Sequence, residues 1–376
     1  MILGMDFRPA LLSPTGIARV VRELALRLPG REGIEEVRLF GHSLAWAALP
    51  LPPLPQGARL GRLPLPGRAL PLLARLGIGA DTLLGGCDLF LWTDYVFPPV
   101  KRAGKAMILH DLAFLKDPAW HGAQSPVLAE RTRRAAALSD LVLVPSPLVA
   151  EEAEERLPET EGKVRVLPWG GDQARLPDPA PALPQGILPP GEGPLFLCLG
   201  RIEPRKNQAL LLEAFALLQE RVAGARLLLA GPPGWSTAEL QTRLEALHQD
   251  PSSGIRWAKA LPDALLFPLF ARARALVYPS LYEGFGLPAA EALHLGIPSI
   301  VTQGTAPAWV AGPAALTVPP GDASALARAM ETLAADQEAR AALSAAARRR
   351  AKEFTWEKTA RRLADLLGLP PRISSM

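Results

Sequence analysis

Cysteine is nearly absent: Cys87 and Cys198 are the only two in 376 residues. Two cysteines build neither a disulfide framework nor a cysteine metal-ligand spacing, which excludes a disulfide-stapled scaffold. Cys198 lies inside the apolar run LFLCLG and reads as a buried structural thiol. Aromatics make up only 6% of the chain. None interleaves with the basic clusters, Arg131, Arg133 and Arg134 or Arg348, Arg349, Arg350 and Lys352. Stacking platforms for bases are therefore missing, and no nucleic acid is expected as a partner. Charge of one sign does not dominate either, with a net charge of +4 and a pI near 9.3. The clusters read as solvated helix faces; the first also fits a patch for anionic lipid headgroups. Unbroken apolar runs are lacking. The uncharged stretches from Leu39 to Ala58 and from Ala292 to Gly321 are interrupted by Pro50, Pro52, Pro53 and Pro55, and by Pro298, Pro307, Pro313, Pro319 and Pro320. A spanning helix does not survive so many breaks. No basic leader precedes an apolar run at MILGMDFRPALL, so no signal peptide is evident. The expected location is cytoplasmic, with peripheral contact at the inner membrane surface left open.

What is present is a repeated alternation of strand and helix. The length suits two domains rather than one, and 49% hydrophobic with 21% charged residues is ordinary for a globular protein. MILGMDF reads as a first strand. SPTGIARVVRELALRL follows as a glycine turn and a helix with Ile17, Val20, Val21, Leu24 and Leu28 on one face. VRLFG, CDLFLW, AMILH and LVLVPS are short apolar runs separated by helical segments, the pattern of a parallel sheet. From Ala47 to Gly79 the chain has no clear period and reads as an irregular excursion with one short helix. KVRVLPWGGD closes the first half, and the Pro-rich stretch from Leu176 to Pro194 reads as a linker. LFLCLG, RLLLAG, IRW, ALVYPS, PSIVT and ALTV then repeat the pattern with helices between. The fold class is therefore α/β, with two doubly wound parallel sheets.

The most informative segment is PSLYEGFGLPAAEALHLGIPSI, from Pro279 to Ile300. The run ALVY before it ends a buried strand, Pro288 suits the first turn of a helix, and Gly296 with Pro298 stops that helix. Glu283 falls in the turn at the strand's carboxyl end, and Glu291 one turn into the helix. Two glycines let the backbone approach a ligand, and the helix N-terminus offers N–H groups to an anion. Phosphate on the backbone and hydroxyls on two carboxylates describe a nucleotide-sugar. Taken alone, two carboxylates eight apart are more often solvated surface groups. Gly284, Gly286 and Ala289 also meet the loose dinucleotide pattern G-x-G-x-x-A. That reading expects an acid about 20 residues on, and none occurs between Glu291 and Asp322.

This segment resembles the retaining glycosyltransferases of family 4, whose hallmark is Glu-x7-Glu in a stretch much like YEGFGLPAAEALHLGIP. A second match is Gly200-Arg201-Ile202-Glu203-Pro204-Arg205-Lys206-Asn207, which follows a strand and opens a helix. Independently of the family, its Arg and Lys five apart at a helix start make an anion cradle. A third is His110-Asp111-Leu112 after the strand AMIL, and a fourth Thr15-Gly16-Ile17-Ala18-Arg19. Relatives usually carry a second glycine where Ala18 stands, and many carry a glutamate after Pro307, where this chain has Ala308.

The resemblance implies a GT-B fold, two Rossmann-like doubly wound parallel-sheet domains facing a central cleft. Residues 1–170 would form the acceptor-side domain, 171–353 the nucleotide-sugar domain, and 354–376 a helix crossing back to the first. It implies that Arg201 and Lys206 neutralise the donor diphosphate and stabilise the departing group. Glu283 would contact hydroxyls of the donor sugar, and Glu291 the ribose diol. The amides of Gly284, Phe285, Gly286 and Leu287 would face sugar or diphosphate, Gly16 would bring its N–H to the phosphate, and His110 would lie near the transferred sugar and the acceptor. The implied activity is retaining, metal-independent hexosyl transfer without a cofactor, and no Asp-x-Asp run offers a metal-diphosphate site. TGIARVVREL, HDL, EPRKN and EGFGLP look most like mannosyltransferase members, so the expected reaction moves mannose from GDP-mannose to a glycan or glycolipid acceptor. Glucosyl or N-acetylglucosaminyl transfer from a UDP-sugar, a nucleotide-sugar epimerase of the same fold and a non-catalytic sugar-nucleotide-binding protein stay open.

Overall fold

Short apolar runs become parallel strands throughout the chain. In the computed structural model, which describes residues 1–12, 15–44, 53–120, 124–178, 181–235 and 237–368, these strands form two sheets. The first contains β1 (Ile2–Asp6), β2 (Glu36–His42), β3 (Ala58–Leu63), β4 (Leu89–Trp92), β5 (Gly104–Ile108), β6 (Leu141–Val144) and β7 (Val164–Val166). Their spatial order is β3-β2-β1-β4-β5-β6-β7. The second contains β8 (Leu195–Leu199), β9 (Arg226–Ala230), β10 (Ile255–Ala258), β11 (Ala275–Tyr278), β12 (Ser299–Thr302) and β13 (Ala315–Val318). Their order is β10-β9-β8-β11-β12-β13. Central strands such as β8 and β11 are buried at every position, because helices cover both faces of a parallel sheet and leave no side for polar residues. Both sheets are doubly wound, as the alternation predicts.

Contacts divide the chain into two units. One comprises Met1–Pro118, Gly122–Trp169 and Trp356–Met376; the other comprises Gly170–Thr355 and the short segment Ala119–His121. In the first unit the helix Gly16–Arg27 turns Val20, Val21 and Leu24 inward, and the Thr15 hydroxyl caps it by accepting from the Ala18 amide at 3.2 Å. The terminal helix, Trp356–Gly368, packs on that helix. Trp356 is fully buried and stacks on Trp169, with ring centroids 6.5 Å apart. The Thr359 hydroxyl donates to the Pro168 carbonyl at 2.7 Å, and Arg31 pairs with Glu357.

Two expectations are corrected here. The excursion from Ala47 to Gly79 holds a strand: β3 pairs with β2 from Val37↔Ala58 to His42↔Leu63. It is an edge strand whose residues are only half-buried or exposed, so its ARLGRL sequence lacks a strong apolar signal. Residues 47–52 of that stretch lie outside the described residues. The second basic cluster is not simply a solvated face. Arg350 donates to the carbonyls of Val310 and Trp309 at 3.2 and 3.1 Å and lies over the Phe354 ring, while Arg348 fits against Gly296, where any Cβ would come within 2.6 Å of the guanidinium carbon.

Candidate active site

In the second sheet the strand order reverses between β8 and β11. Loops leaving the carboxyl ends of two such strands diverge, and ligands of open α/β sheets bind there. The loop after β8 carries Arg201 to Asn207, and the turn after β11 carries Ser280 to Gly286. The topology therefore brings together two motifs that lie about 80 residues apart in sequence.

Glu283 is the centre of this site. Its Oε1 accepts from Lys206 Nζ at 2.5 Å, from the Tyr278 hydroxyl at 2.8 Å and from the Ser280 hydroxyl at 3.3 Å. Its Oε2 accepts from Arg205 Nη1 at 3.1 Å. Burial pushes the carboxyl upward. The charges of Arg205 and Lys206, with hydrogen bonds from Lys206 and Tyr278, outweigh burial and hold it at about 2. Glu283 is thus ionised and oriented at any physiological pH. Tyr278 is raised well above the usual phenol range, by burial first and then by the Glu283 charge, so it stays a neutral donor. Lys206 Nζ also donates to the Tyr278 hydroxyl at 2.9 Å, which closes a triangle of lysine, phenol and carboxylate.

The other residues of the two motifs take separate places. Arg201 is exposed and makes no ion pair among the described residues, while its carbonyl accepts from Gln208 Nε2 at 2.8 Å. Gly286 precedes the helix Leu287–Leu295 with φ of 94°, and among the described residues no side chain caps that helix; Pro288 has no N–H and the Ala289 amide donates to the Gly286 carbonyl at 2.9 Å, so in the first turn it is the Leu287 amide that can turn to a ligand. A Cβ at Gly286 would come within 2.8 Å of Pro307. Phe285 is buried against Trp309 and Phe354, each pair edge-to-face. Glu291 is buried and accepts from Gln173 Nε2 at 2.7 Å. Gly171 lets Gln173 reach it: a Cβ there would sit 2.6 Å from the Ala290 carbonyl.

The first sheet reverses between β1 and β4, and a second polar group collects at its carboxyl edge. His110 follows β5 and is almost fully buried; its Nε2 lies 2.9 Å from the Thr93 carbonyl. A carbonyl only accepts, so Nε2 carries the proton. Burial lowers the imidazole pKa, which leaves the ring neutral with an unprotonated Nδ1. Thr93 is fixed in turn, its hydroxyl donating to the Asp6 carbonyl at 2.6 Å. Gly16 is the exposed first residue of its helix. Beside these, the Arg8 guanidinium donates to Asp94 at 2.7 Å, and Asp6 is wholly buried with one carboxyl oxygen unpartnered. Among the described residues no cluster of His, Cys, Asp and Glu would hold a metal ion, and no helix is long and apolar enough to cross a membrane.

Five positioning groups escape sequence reading: Arg205, Tyr278 and Ser280 around Glu283, Gln173 at Glu291, and Thr93 at His110. Arg205, Tyr278 and Ser280 lie within or beside the quoted motifs, but only pairing across strands shows which way each faces. Gln173 and Thr93 carry no signal at all.

Known proteins share this architecture. Residues 181–350 match the model of the glycosyl transferases group 1. The O-antigen chain mannosyltransferase B of Escherichia coli is 29% identical over 91% of this chain and 93% of its own length. The serotype-specific mannosyltransferase WbdA of Escherichia coli is 30% identical over 59% of this chain, which spans 30% of that longer protein. Among solved structures, the sucrose-phosphate synthase of Thermosynechococcus elongatus has a TM-score of 0.76 at 22% identity, over 98% of both chains. WaaG, a glycosyltransferase involved in lipopolysaccharide biosynthesis, has a TM-score of 0.70 at 16% identity, over 98% of this chain and 100% of its own. The fold is GT-B, and the protein is a glycosyltransferase. The group 1 match and the mannosyltransferase relatives support a family-4-like glycosyltransferase of mannosyltransferase type.

Proposed function

We propose that this glycosyltransferase transfers a hexose, with retention of anomeric configuration, from a nucleotide diphosphate sugar to a glycan or glycolipid acceptor, and that the donor is GDP-mannose. The observation that carries the reading is the clamped Glu283: a buried, ionised carboxylate at the reversal point of the second sheet, flanked by a lysine and an uncapped helix N-terminus. Such a carboxylate stays charged and fixed in place to accept hydrogen bonds from sugar hydroxyls, and the cation and amides beside it suit a diphosphate.

In this reading Arg201, Lys206 and the amides of Gly284, Phe285, Gly286 and Leu287 hold the diphosphate, joined by the amide of Gly16. As the glycosidic bond breaks, negative charge grows on the leaving phosphate, and these fixed donors lower the barrier there. They supply the positive charge of the site, so we assign no metal and no cofactor. Glu291 holds the ribose diol. His110, neutral, meets the transferred sugar. No side chain acts as nucleophile: the leaving phosphate takes the acceptor proton on the same face of the sugar, which yields retention. Mannose as the sugar is supported by the two mannosyltransferase relatives.

Thermal stability against GDP, UDP, ADP and NAD, each alone, tests the reading. A ligand at about 100 times its dissociation constant adds roughly 2.7 kcal/mol to the folded state, and the expected response is to GDP. A response to UDP alone would replace the donor and keep the activity, whereas one to NAD alone would sink the transferase chemistry proposed here. With donor and acceptor in hand, Glu283→Ala should lower kcat by on the order of 100-fold or more; transfer at the full rate would remove Glu283 from its role.

A further inference from the structure

Arg205 has no role in the reading above, yet its surroundings differ from those of its neighbour Lys206. Its Nη1 donates to Glu283 Oε2 at 3.1 Å and to the Tyr282 carbonyl at 3.3 Å, and its Nε donates to Glu203 Oε2 at 3.1 Å. Its own carbonyl accepts from the Leu281 amide at 2.7 Å. Glu203 is only 4% exposed, so the guanidinium is held between two buried carboxylates and tied by its backbone to the turn that carries Glu283. Planar, forked geometry suits a guanidinium to such double duty. Lys206 is a point charge on a flexible stem, and among the described residues its Nζ donates to Glu283 and Tyr278.

A diphosphate entering this site competes with Glu283 for Lys206. It does not compete for Arg205 in the same way, because moving Arg205 would strand Glu203 as well as Glu283 in a buried place, and an unpaired buried charge is costly.

We infer that Arg205 is a positioning residue, which keeps Glu283 ionised and fixed through Oε2 while Lys206 turns from Oε1 to the donor diphosphate and leaves Oε1 to the sugar hydroxyls. The inference rests on the roles proposed above for Glu283 and Lys206. The titratable groups around Glu283 are Glu203, Arg205 and Lys206 from the loop after β8 and Tyr278 from β11, with Cys198 of β8 beyond Tyr278. Of these the Arg205 charge is the largest single attraction on the carboxylate, followed by the charge and the hydrogen bond of Lys206. With Lys206 engaged elsewhere, removing Arg205 leaves burial nearly unopposed, and burial favours the neutral acid. Glu283 then takes up a proton at a pH where it is ionised in the wild type, and the acid limb of kcat/KM moves to higher pH.

The test compares wild type, Arg205→Met and Arg205→Lys, using the donor sugar that the wild type transfers. Profiles of kcat and KM against pH are combined with the thermal shift given by the matching nucleoside diphosphate, whose proposed contacts include neither Arg205 nor the Glu283 carboxylate. Arg205→Met should lose roughly 30-fold or more in kcat at neutral pH, with the acid limb moved upward and the nucleoside-diphosphate shift retained. Arg205→Lys should return the limb most of the way while leaving kcat low, because one ammonium cannot serve Glu203 and Glu283 together. An acid limb that stays in place in Arg205→Met overturns the inference, whether kcat is kept or lost, since a merely structural arginine would not move it. Should Arg205→Met fail to fold, Arg205→Lys decides alone: an intermediate limb supports the role and an unmoved one overturns it. A wild type that neither transfers sugar nor responds to any nucleoside diphosphate overturns the functional reading as well, a failure visible before any variant is made.

Discussion

Asp6 and Glu283 are buried carboxylates with opposite fates, and the difference lies in their partners. Glu283 meets two cations and two hydroxyls and is held at about 2. Asp6 has its Oδ2 unpartnered and 3.7 Å from Arg8, whose guanidinium is engaged by Asp94. Burial dominates there and raises the carboxyl from 3.8 to about 7, against the attraction of Arg8. The consequences for stability have opposite signs. Glu283, with its pKa depressed, contributes stability above its unfolded value of 4.5 that is lost as pH falls toward 2. Asp6, with its pKa raised, contributes stability below pH 3.8 that is lost as pH rises through about 7. Asp6→Asn mimics the protonated acid and removes that second titration. Between pH 4 and pH 8 the variant's stability should therefore gain on the wild type's by up to about 4 kcal/mol, at 1.36 kcal/mol for each unit of pKa difference. Denaturant midpoints across that range check it; a constant gap between the two proteins would show that Asp6 does not titrate there. The placement of Glu283, Glu291 and Lys206 at strand and helix ends is legible in the sequence because their motifs are local. The isolation of Asp6 is not, because it is made by β4 and its loop, more than 80 residues away.

At the scale of elements, the strand–turn–helix from β11 to Leu295 is legible almost residue by residue. Its signals (an apolar run, two glycines, Pro288 and Gly296) are all short-range. The need for glycine at position 286 has two sources, and they can be separated. Its φ of 94° strains any L-residue, and a Cβ would also press on Pro307 at 2.8 Å. Gly304 shares the positive φ, at 73°, but has nothing within 4 Å of where a Cβ would stand. Gly304→Ala should cost only the backbone strain, roughly 1–2 kcal/mol. Gly286→Ala should cost more, by a further 1–3 kcal/mol of overpacking, and should raise the KM for the donor because the helix N-terminus shifts. Thermal melts and donor titrations of both variants check the pair. Equal losses would mean that Pro307 yields and that steric contact is not what fixes the turn. β3 marks the opposite limit of legibility. An edge strand with one pairing partner needs no continuous apolar run, so ARLGRL carries little to distinguish it from a loop.

For the whole molecule, repetition made the two doubly wound sheets legible: the same alternation of apolar run and helix occurs twice. Periodicity does not say where a lone amphipathic helix docks. An apolar stripe on Trp356–Gly368 shows that the helix needs a partner and leaves the partner unnamed; only the resemblance pointed to the first half of the chain. In the structure Trp356, Ala360 and Leu363 are fully buried in the first unit, and Trp356 stacks on Trp169, whose other neighbour is His110 at 6.0 Å between ring centroids. Residues separated by the entire second unit in sequence thus complete the packing behind His110. Trp356→Ala should destabilise the first unit by about 3–5 kcal/mol, the range for removing a buried large aromatic. Ending the chain at Thr355 should cost more, because it also exposes the apolar face of Gly16–Arg27. Since Glu283 and its clamp lie wholly in the second unit, the thermal shift with a nucleoside diphosphate should survive Trp356→Ala while sugar transfer falls. Calorimetry with and without nucleotide reads both effects, the lowered transition of the first unit and the retained response of the second. Loss of the nucleotide response together with transfer would show that the two units do not bind and fold as separately as their cores suggest.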